Sequence, residues 1–410
     1  MIQISKAIKI IKRETGSLGA EDVRIGDSVG RILAEDVRAD SDMPPFDRSQ
    51  MDGFAVRTDD VKSAPVKLKV IGESVAGKGF DGAVKAGEAV RIMTGARVPA
   101  GTDAVQKVEL TKETNGFIEI LESAKAGQNI NTLASEIKTG SLVFEAGELV
   151  TEQMIAAIAS FGYAKLKVFR QPTLSIFSTG SEIVEIHEKP QKDQIRNSNS
   201  MMLKVLAEKG GARATILPQV HDDFETLKEH IARAVGLESK VNKSQIPNPK
   251  SQILIITGGV SVGDYDFTKP VLRALGAEIF FEKVSLKPGK PTVFARLNDC
   301  LIFGLPGNPV SVAVTFSLFA RRAIRQMQSA KDAGLKSGTA VCANKIKGAN
   351  ERDSYLPVSL STDKKGRLTI DSLRFSGSSN FIAFSRADAL VFIPQGVNLE
   401  KNDTAEILFL

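Results

Sequence analysis

Residues 301–311 read Leu-Ile-Phe-Gly-Leu-Pro-Gly-Asn-Pro-Val-Ser, and this stretch decides the fold class. Its apolar first half is too short for a globular helix, and its middle is rich in glycine and proline. Apolar residues at helical spacing follow from Val310 towards Gln326. This order predicts a strand, a tight turn and a helix start. Such a turn exposes backbone N–H groups at the positive end of a helix, where an anion can bind.

A second turn of this kind spans residues 257–264, Thr-Gly-Gly-Val-Ser-Val-Gly-Asp, and follows another apolar run. Gly258 and Gly259 allow close approach of a ligand, because no Cβ intervenes. Between the two turns lies the cationic loop Lys-Pro-Gly-Lys-Pro, residues 287–291, which its prolines stiffen. The alternative for the cationic loop is an ordinary solvated turn, and the alternative for residues 306–311 is a tight strand-to-helix turn without a ligand. Together they favour a pocket for a phosphate or another oxyanion.

Two aspartates, Asp264 and Asp266, follow the second glycine turn, and Ser261 lies within it. A carboxylate beside an anion-binding turn is electrostatically unfavourable unless a cation lies between them. Mg²⁺ held by one or two carboxylates and by phosphate oxygens satisfies this condition. The alternative is that either aspartate only caps the next helix. The clustering favours a metal-assisted anion site.

From about Gln171 the chain alternates between strands and helices, which is typical of a mostly parallel sheet with helices on both faces. We expect strands over 173–178, 214–220, 251–257, 278–284, 292–297 and 301–305, and helices over 200–208, from 222, over 267–275 and over 310–326. Asp222 and Glu225 have the spacing of a capping box. Ligands of such sheets bind beyond the carboxyl ends of the strands, where both glycine turns and Ser178-Thr179-Gly180 lie.

The regions on either side have different patterns. An amphipathic helix is expected within residues 1–15, and alternation over 66–70 with frequent glycines predicts a β-rich region to about Thr139. A helix over 151–161 follows, so the β-rich region is interpreted as an inserted domain. After about Ala330, short strands and polar turns predict a small β-barrel or sandwich.

Length, charge and cysteine content limit the classes of protein to which this chain can belong. A chain of 410 residues is too long for one ordinary core, and its net charge of +6 is small for that length, so we expect several domains and no nucleic-acid role. Only Cys300 and Cys342 are present, which excludes a disulfide framework and fits a reducing cytoplasm. The N-terminus lacks the features of a signal peptide and no stretch approaches membrane-spanning length, so we expect a cytoplasmic protein without membrane contact.

Several segments together resemble the MoeA family of molybdopterin molybdenumtransferases, and are similar also to the C-terminal domain of gephyrin. In chain order they are Pro-Phe-Asp-Arg-Ser (45–49), Met-Asp-Gly-Phe-Ala (51–55), Met-Thr-Gly (93–95), Gly-Gln-Asn-Ile (127–130), Ser-Thr-Gly (178–180), Gly-Gly-Val-Ser-Val-Gly (258–263), the cationic loop, and Gly-Leu-Pro-Gly-Asn-Pro-Val-Ser (304–311). The resemblance covers nearly the whole chain. The combination is highly specific, although no single segment is.

The resemblance implies a multidomain α/β plus β fold with four domains. Domain I is a discontinuous helical and extended linker domain, residues 1–42 and 140–170, and domain II is an inserted β-rich domain, residues 43–139. Domain III, residues 171–329, is a doubly wound, mostly parallel α/β domain that is similar to MoaB and Mog and binds molybdopterin. Domain IV, residues 330–410, is a small β-barrel.

The resemblance also implies an activity: insertion of molybdenum from molybdate into adenylylated molybdopterin, assisted by Mg²⁺, with release of AMP. It implies a homodimer with the site between domain III of one subunit and domain II of the other. Further partners would be a molybdopterin adenylyltransferase and the molybdoenzymes that receive the cofactor. Two alternatives stay open, a molybdopterin adenylyltransferase and a non-catalytic carrier or scaffold of the cofactor.

Site candidates follow from the motifs and the resemblance. The catalytic candidates are Asp52, Asp222, Asp266, Lys287 and Lys290. The substrate-binding candidates are Ser49, Thr94, Gly95, Thr179, Gly180, Gly258, Gly259, Ser261, Gly263, Pro306, Gly307, Asn308, Pro309 and Ser311. Asp266 and Asp264 are the candidate metal ligands, and the roles of Glu136, Glu182 and Arg352 are left open.

The chain departs from the family pattern in three places. After residues 127–130 the family usually carries arginines and then Gly-Glu-Asp, whereas this chain has Asn-Thr-Leu-Ala-Ser-Glu-Ile over 131–137, with Glu136 at the acidic position. Pro357 stands where the family has a second arginine after Arg352, and Ser181 replaces an acidic residue.

Overall fold

The computed structural model describes residues 1–220, 223–237, 251–260, 266–373 and 377–410. Four candidates lie outside these ranges, namely Asp222, Ser261, Gly263 and Asp264. The chain divides into two compact units, a larger one of residues 1–35, 146–152 and 165–410 and a smaller one of residues 36–145 and 153–164. None of the helices within the described ranges is long and apolar enough to cross a membrane.

The larger unit is built on a six-stranded sheet. In spatial order its strands are Arg213–Ile216, Thr173–Ser178, Ile253–Thr257, Cys300–Leu305, Val293–Leu297 and Glu278–Phe281. The first four strands pair in parallel with their neighbours. Val293–Leu297 pairs antiparallel with Cys300–Leu305 and with Glu278–Phe281. The expected mostly parallel sheet is confirmed. The run from Ile253 to Ile256 is buried on both faces, which explains its unbroken apolar sequence.

Helices cover both faces of this sheet. One face shares its core with the helices Ile4–Glu14, Ser198–Lys209, Pro309–Thr315 and Arg321–Met327, and the other with Phe224–Ala234 and Thr268–Ala274. Successive residues of one strand enter different cores: Ile253 and Ile255 lie in the first, Leu254 and Ile256 in the second. This is the period-two geometry of a strand, and it confirms the doubly wound arrangement.

Some predicted boundaries are wrong. The helix expected from Asp222 begins at Phe224, and Asp223 is its N-cap, because its carboxylate accepts a hydrogen bond of 2.8 Å from the Thr226 amide. Hydrogen bonds from the Thr226 hydroxyl and then its amide hold the pKa of Asp223 below the ordinary value. The strand expected over 214–220 ends at Ile216, because Pro218 cannot donate to a ladder.

The helix after the third central strand differs from its prediction in kind as well as in length. Apolar spacing predicts an α-helix over 310–326, whereas the helical path runs from Pro309 to Met327 and contains the π-helical segment Phe316–Ala320. All residues of that segment are buried in the core of the larger unit. Because this segment is buried on all sides, it has no exposed face whose spacing would reveal the π turn in the sequence.

The C-terminal region forms a closed barrel, and this decides between the barrel and the sandwich. Its strands are Ser337–Cys342, Asp353–Thr362, Leu368–Ser372, Ala389–Ile393 and Thr404–Phe409. Asp353–Thr362 pairs with both Leu368–Ser372 and Ala389–Ile393, which closes the ring. A short strand from outside the barrel, Leu286–Lys287, pairs in parallel with Asp353 and Ser354. The cationic loop is therefore attached to the barrel.

The smaller unit is β-rich, as expected. Its six-stranded sheet has the order Ala104–Lys107, Gly53–Val56, Glu88–Ile92, Val66–Ser74, Phe117–Ile120 and Thr111–Thr114. Arg48–Ser49 pairs with Ile130–Asn131, and Val37–Arg38 with Leu142–Phe144. The helix Glu152–Ser160 belongs to this unit except for its first residue.

The remaining elements of the larger unit are short. They are the strand pairs Ala20–Arg24 with Lys165–Phe169, Ile183–Val184 with Ile195–Arg196, and Ile346–Lys347 with Asn398–Leu399, and the helix Phe381–Phe384. A 3₁₀ helix lies at Ile25–Asp27 in the larger unit, and two more lie at Thr58–Val61 and Val108–Leu110 in the smaller unit.

Candidate functional site

Three turns meet at one edge of the central sheet. The strands Thr173–Ser178, Ile253–Thr257 and Cys300–Leu305 are parallel neighbours, so their carboxyl ends lie side by side. The residues that follow them line one cavity of about 300 Å³, and these are Thr179, Gly180, Gly258, Gly259, Pro306, Gly307 and Asn308. Segments far apart in the chain therefore form a single concave surface, the turn cavity. Glu182 and Asp266 line it as well.

The glycines of the middle turn are required by geometry. Gly258 and Gly259 have positive φ values of +92° and +58°. A Cβ on Gly258 would lie 2.5 Å from the carbonyl oxygen of Thr179, and a Cβ on Gly259 would lie 2.7 Å from the Thr179 Oγ1. Any side chain at either position would push the first and second turns apart. The absence of Cβ atoms thus keeps the turn cavity narrow.

Two side chains that the sequence analysis missed hold the third turn in place. The Thr257 hydroxyl donates to the carbonyl oxygen of Pro306 at 3.0 Å, and the Asn199 amide donates to that of Gly307 at 2.6 Å. Asn199 lies at the start of the helix Ser198–Lys209, whose N-cap is Asn197. The polar run Asn-Ser-Asn over 197–199 was the available signal, but it is equally typical of a helix cap.

Several buried polar atoms at this edge have no hydrogen-bond partner among the residues that the structure describes. They are Ser178 Oγ, Thr179 Oγ1, Asn199 Oδ1 and Thr268 Oγ1. The hydroxyls of Thr179 and Thr268 approach the same point, since a Cβ on Gly259 would lie 2.7 Å from one and 3.2 Å from the other. Buried polar groups are nearly always paired in native proteins. Their concentration here distinguishes this edge from an ordinary packed core.

A second, larger cavity adjoins the first and is lined by cations. The cation cleft, as we call it, has a volume of about 880 Å³ and shares Pro291, Pro306 and Asn308 with the turn cavity. Its charged lining consists of Lys287, Lys290, Lys345, Lys347 and Arg352, and Ser311 lines it too. Lys345 is paired with Glu400, whereas Lys287, Lys290 and Lys347 have no ion-pair partner within the described ranges.

The cations come from two parts of the larger unit. Lys287 and Lys290 belong to the cationic loop, and Lys345, Lys347 and Arg352 belong to the barrel region. The parallel pairing of Leu286–Lys287 with Asp353 joins the two, and Arg352 Nη1 donates to the Leu286 carbonyl oxygen at 3.1 Å. Arg352 is among the candidates from the sequence, whereas Lys345 and Lys347 belong to no recognised motif and are not.

The cationic loop is packed tightly at Gly289. This residue has φ +119°, and a Cβ there would collide with the Thr315 methyl group and approach Leu286 Cδ2 to 3.2 Å. The Thr292 hydroxyl also donates to the Gly289 carbonyl oxygen at 2.7 Å. The loop is therefore fixed against the helix Pro309–Thr315.

Gly289→Ala is expected to destabilise the larger unit by about 1–3 kcal/mol, because it combines a disfavoured φ with a steric collision. The matched control is Gly366→Ala, since Gly366 has φ +78° but a Cβ there meets nothing within 4 Å. Chemical unfolding followed by circular dichroism measures both. Equal losses in the two variants would show that the collision with Thr315 has no effect.

A third cavity, of about 860 Å³, also adjoins the turn cavity. It shares Thr179, Glu182, Gly258, Gly307 and Asn308 with the turn cavity, and Pro309 lines it. The apolar residues of its lining include Ile183, Pro190, Ile195 and Phe381. The site is thus one continuous groove with the turn cavity at its centre.

The carboxylates at the centre suit a hard cation. Asp266 and Glu182 both line the turn cavity, and a Cβ on Gly180 would lie 2.6 Å from Glu182 Oε2. In the described part of the chain, no three His, Cys, Asp or Glu side chains are grouped so that they could hold a metal. Mg²⁺ commonly uses one or two carboxylates together with substrate phosphates. The donor set therefore fits a cation that is bound jointly with a phosphate.

The candidates of the smaller unit form one loop cluster of their own. Asp52 Oδ1 accepts hydrogen bonds from the Thr94 amide at 2.6 Å and from the Thr94 hydroxyl at 2.8 Å. These bonds, the amide one first, hold the pKa of Asp52 below the ordinary value. The Gly95 amide donates to the Ser49 carbonyl oxygen at 2.9 Å. Asp52 is accordingly a carboxylate at neutral pH, fixed by its neighbours.

Glu136 lies in the same unit and is paired with an arginine. Its Oε1 lies 3.5 Å from Arg48 Nη2, and its side chain is 57% exposed. Arg48 is part of the short strand that pairs with Ile130–Asn131. The segment 131–137, which departs from the family pattern, thus retains one acidic side chain that is paired with Arg48.

Family models cover most of the chain. The MoeA N-terminal region (domain I and II) matches residues 2–162, a probable molybdopterin binding domain matches 175–326, and the MoeA C-terminal region (domain IV) matches 339–410. A molybdopterin molybdenumtransferase of Staphylococcus epidermidis (strain RP62A) is 32% identical over 399 residues, which are 96% of this chain and 92% of that protein. The one of Staphylococcus aureus (strain COL) is 34% identical over the same shares.

Solved structures agree with these matches over the full length. A molybdopterin biosynthesis MoeA protein from Pyrococcus horikoshii OT3 has a TM-score of 0.83 at 26% identity, with 100% of each chain covered. A second structure, from the same species, has a TM-score of 0.78 at 30% identity, with 100% of this chain and 99% of that chain covered. The expected fold class is therefore confirmed. The chain belongs to the MoeA family of molybdopterin molybdenumtransferases, which are transferases of molybdenum cofactor biosynthesis.

Proposed function

We propose that this chain inserts molybdenum from molybdate into adenylylated molybdopterin and releases AMP, with Mg²⁺ as the assisting cation. One observation carries the proposal: the turn cavity, with its glycines and carboxylates, opens directly into the cation cleft. A reaction that joins an oxyanion to a nucleotide-activated ligand needs adjacent sites for the two reactants, since proximity removes much of the entropic barrier.

The turn cavity is proposed to bind the phosphates. The backbone around Gly258, Gly259 and Gly307 can approach phosphate oxygens closely, because these residues have no side chains. Asp266 and Glu182 would hold Mg²⁺ there, with Asp264 as the further ligand that the sequence assigns. When bound, Mg²⁺ neutralises charge on the phosphates and facilitates departure of AMP. Thr179, Gly180, Pro306, Asn308 and Pro309 complete the proposed contacts.

The cation cleft is proposed to bind molybdate. Lys287 and Lys290 belong to a loop that is fixed by packing at Gly289. Binding of an anion therefore has to order the two lysine side chains but not the loop itself. Arg352 and Ser311 supply further donors. Charge-assisted hydrogen bonds to a dianion are about twice as strong as neutral ones. Pro357 also lines this cleft, and Lys345 and Lys347 add positive charge near it.

The larger assembly is proposed from the family resemblance. We infer a homodimer in which the Asp52 loop of one subunit, with Ser49, Thr94 and Gly95, approaches the groove of the other. This proposal includes a division into four domains, at 1–42 with 140–170, 43–139, 171–329 and 330–410. The family-model matches at 175–326 and 339–410 support the third and fourth domains. Two free, buried cysteines support a location in the reducing cytoplasm.

The test is a reaction with purified protein, adenylylated molybdopterin, Mg²⁺ and either molybdate or tungstate, with AMP quantified over time. We expect AMP release that depends on the oxyanion. ATP-dependent adenylylation of molybdopterin would instead identify an adenylyltransferase. Equal affinity for molybdopterin with and without the adenylyl group, with no AMP release, would identify a carrier and contradict the proposal.

A further inference from the structure

The lining of the third cavity includes an apolar group of residues that the proposed contacts leave unused. Its residues are Ile183, Pro190, Ile195 and Phe381. Phe381 is 48% exposed and Ile195 is 57% exposed. The same cavity reaches Gly258 and Gly307, where the phosphates are proposed to bind. A phenyl ring therefore lines a cavity that also reaches the proposed phosphate turns.

Phe381 is held in a fixed position. It begins the short helix Phe381–Phe384, whose N-cap Asn380 accepts a hydrogen bond of 3.1 Å from the Ala383 amide. The preceding Ser378 is bonded twice to the third turn: its carbonyl oxygen accepts from the Val310 amide at 3.2 Å, and its hydroxyl accepts from the Asn308 side-chain amide at 2.9 Å. The barrel region thereby places Phe381 beside the turn that follows the central strand.

We propose that Phe381 forms an aromatic wall for a flat nitrogen heterocycle of the substrate, either the pterin or the adenine ring of adenylylated molybdopterin. This inference rests on the proposed function. A ring that stacks on a phenyl face buries apolar surface and gains the electrostatic preference of offset aromatic pairs. The concave shape and the continuity with the phosphate turns favour a small ligand over a protein partner at this position.

The chain offers a matched control for this residue. Ile382 follows Phe381 on the same helix and is 63% exposed, but it does not line the cavity. Truncation of either residue removes a similar exposed apolar group. Only truncation of Phe381 removes a side chain that lines the cavity.

The experiment measures equilibrium binding of AMP and, separately, of molybdopterin without the adenylyl group, to the full-length protein. We expect Phe381→Ala to raise the dissociation constant of one of these ligands by roughly tenfold, on the basis of base–aromatic stacking. The ligand that loses affinity identifies the stacked ring. Phe381→Tyr should keep wild-type affinity, whereas Phe381→Leu should lose most of it, because leucine covers the wall but has no ring face. Ile382→Ala should change neither constant.

Three outcomes would overturn the inference: unchanged dissociation constants for both ligands in Phe381→Ala, equal losses in Ile382→Ala, or wild-type affinity in Phe381→Leu. If Phe381→Ala does not fold, the tyrosine and leucine variants decide alone. The binding measurement requires no turnover. Failure of AMP release in the wild-type protein would therefore contradict the proposed function, whereas an unaltered dissociation constant would contradict only the role of Phe381.

Discussion

Asp266→Asn is expected to lower the rate of molybdate-dependent AMP release by about 10²–10³-fold, the scale of losing one preorganised electrostatic contribution to a transition state. The substitution keeps the size of the side chain but removes the negative charge that would attract Mg²⁺ to the turn cavity. Asp266 lines that cavity with Gly258, Gly259 and Gly307. The loss should be partly reversed by raising the Mg²⁺ concentration.

The control for Asp266 is an aspartate at the opposite end of the sheet. Asp299 is exposed in the turn between Val293–Leu297 and Cys300–Leu305, so it lies at the start of the strand whose end forms the third turn. Asp299→Asn should leave AMP release unchanged. Near-normal turnover of Asp266→Asn at limiting Mg²⁺ would remove Asp266 from the proposed cation site.

Lys290→Ala is expected to raise the molybdate concentration needed for half-maximal AMP release by roughly 10- to 100-fold. A charge-assisted hydrogen bond contributes about 1.5–3 kcal/mol, and about 1.4 kcal/mol corresponds to a tenfold change in affinity. Lys290 lines the cation cleft, and its backbone is fixed because its carbonyl oxygen accepts from the Val284 and Thr292 amides, each at 3.0 Å. Removal of the ammonium group should therefore weaken binding without disordering the loop.

Two control measurements show whether the effect of Lys290→Ala is specific to the cleft and to the oxyanion. Lys283→Ala, in the segment just before the cationic loop and outside the cleft, should behave as wild type. AMP affinity should stay unchanged in Lys290→Ala, because the proposed ligand of the cleft is the oxyanion. If AMP affinity falls and the dependence on molybdate does not, Lys290 belongs to the nucleotide part of the groove and the proposed division between the two cavities is wrong.

Local patterns predicted the parts of the groove that are continuous in sequence. The turn at 257–264 and the turn at 306–308 each follow an apolar run, and a strand followed by a glycine turn is recognisable within a short window. The alternation of strands and helices then indicated that the turns lie at the same edge. Asp223 shows the limit of such reasoning, because Asp222 and Asp223 have nearly the same capping spacing and only the observed bond to Thr226 separates them.

Contacts between distant segments could not be inferred in this way. Asn199 and Gly307 are joined by a hydrogen bond across 108 positions, and Asn308 and Ser378 across 70. Neither Asn199 nor Ser378 belongs to a motif with a chemical signature of its own. The same holds for Phe381, which in the sequence is one of 21 phenylalanines.

The sequence by itself determined the local chemistry of this protein: where the chain turns, which turns lack side chains, and which loop carries two stiffened lysines. Tertiary structure alone decided that Asn199, Phe381 and the barrel cations share one groove with these turns. The decisive contact is the parallel pairing of Leu286–Lys287 with Asp353 and Ser354, which brings barrel cations beside the cationic loop. Backbone hydrogen bonds between strands are made by groups that every residue has, so pairing over such distances leaves no local trace in the sequence.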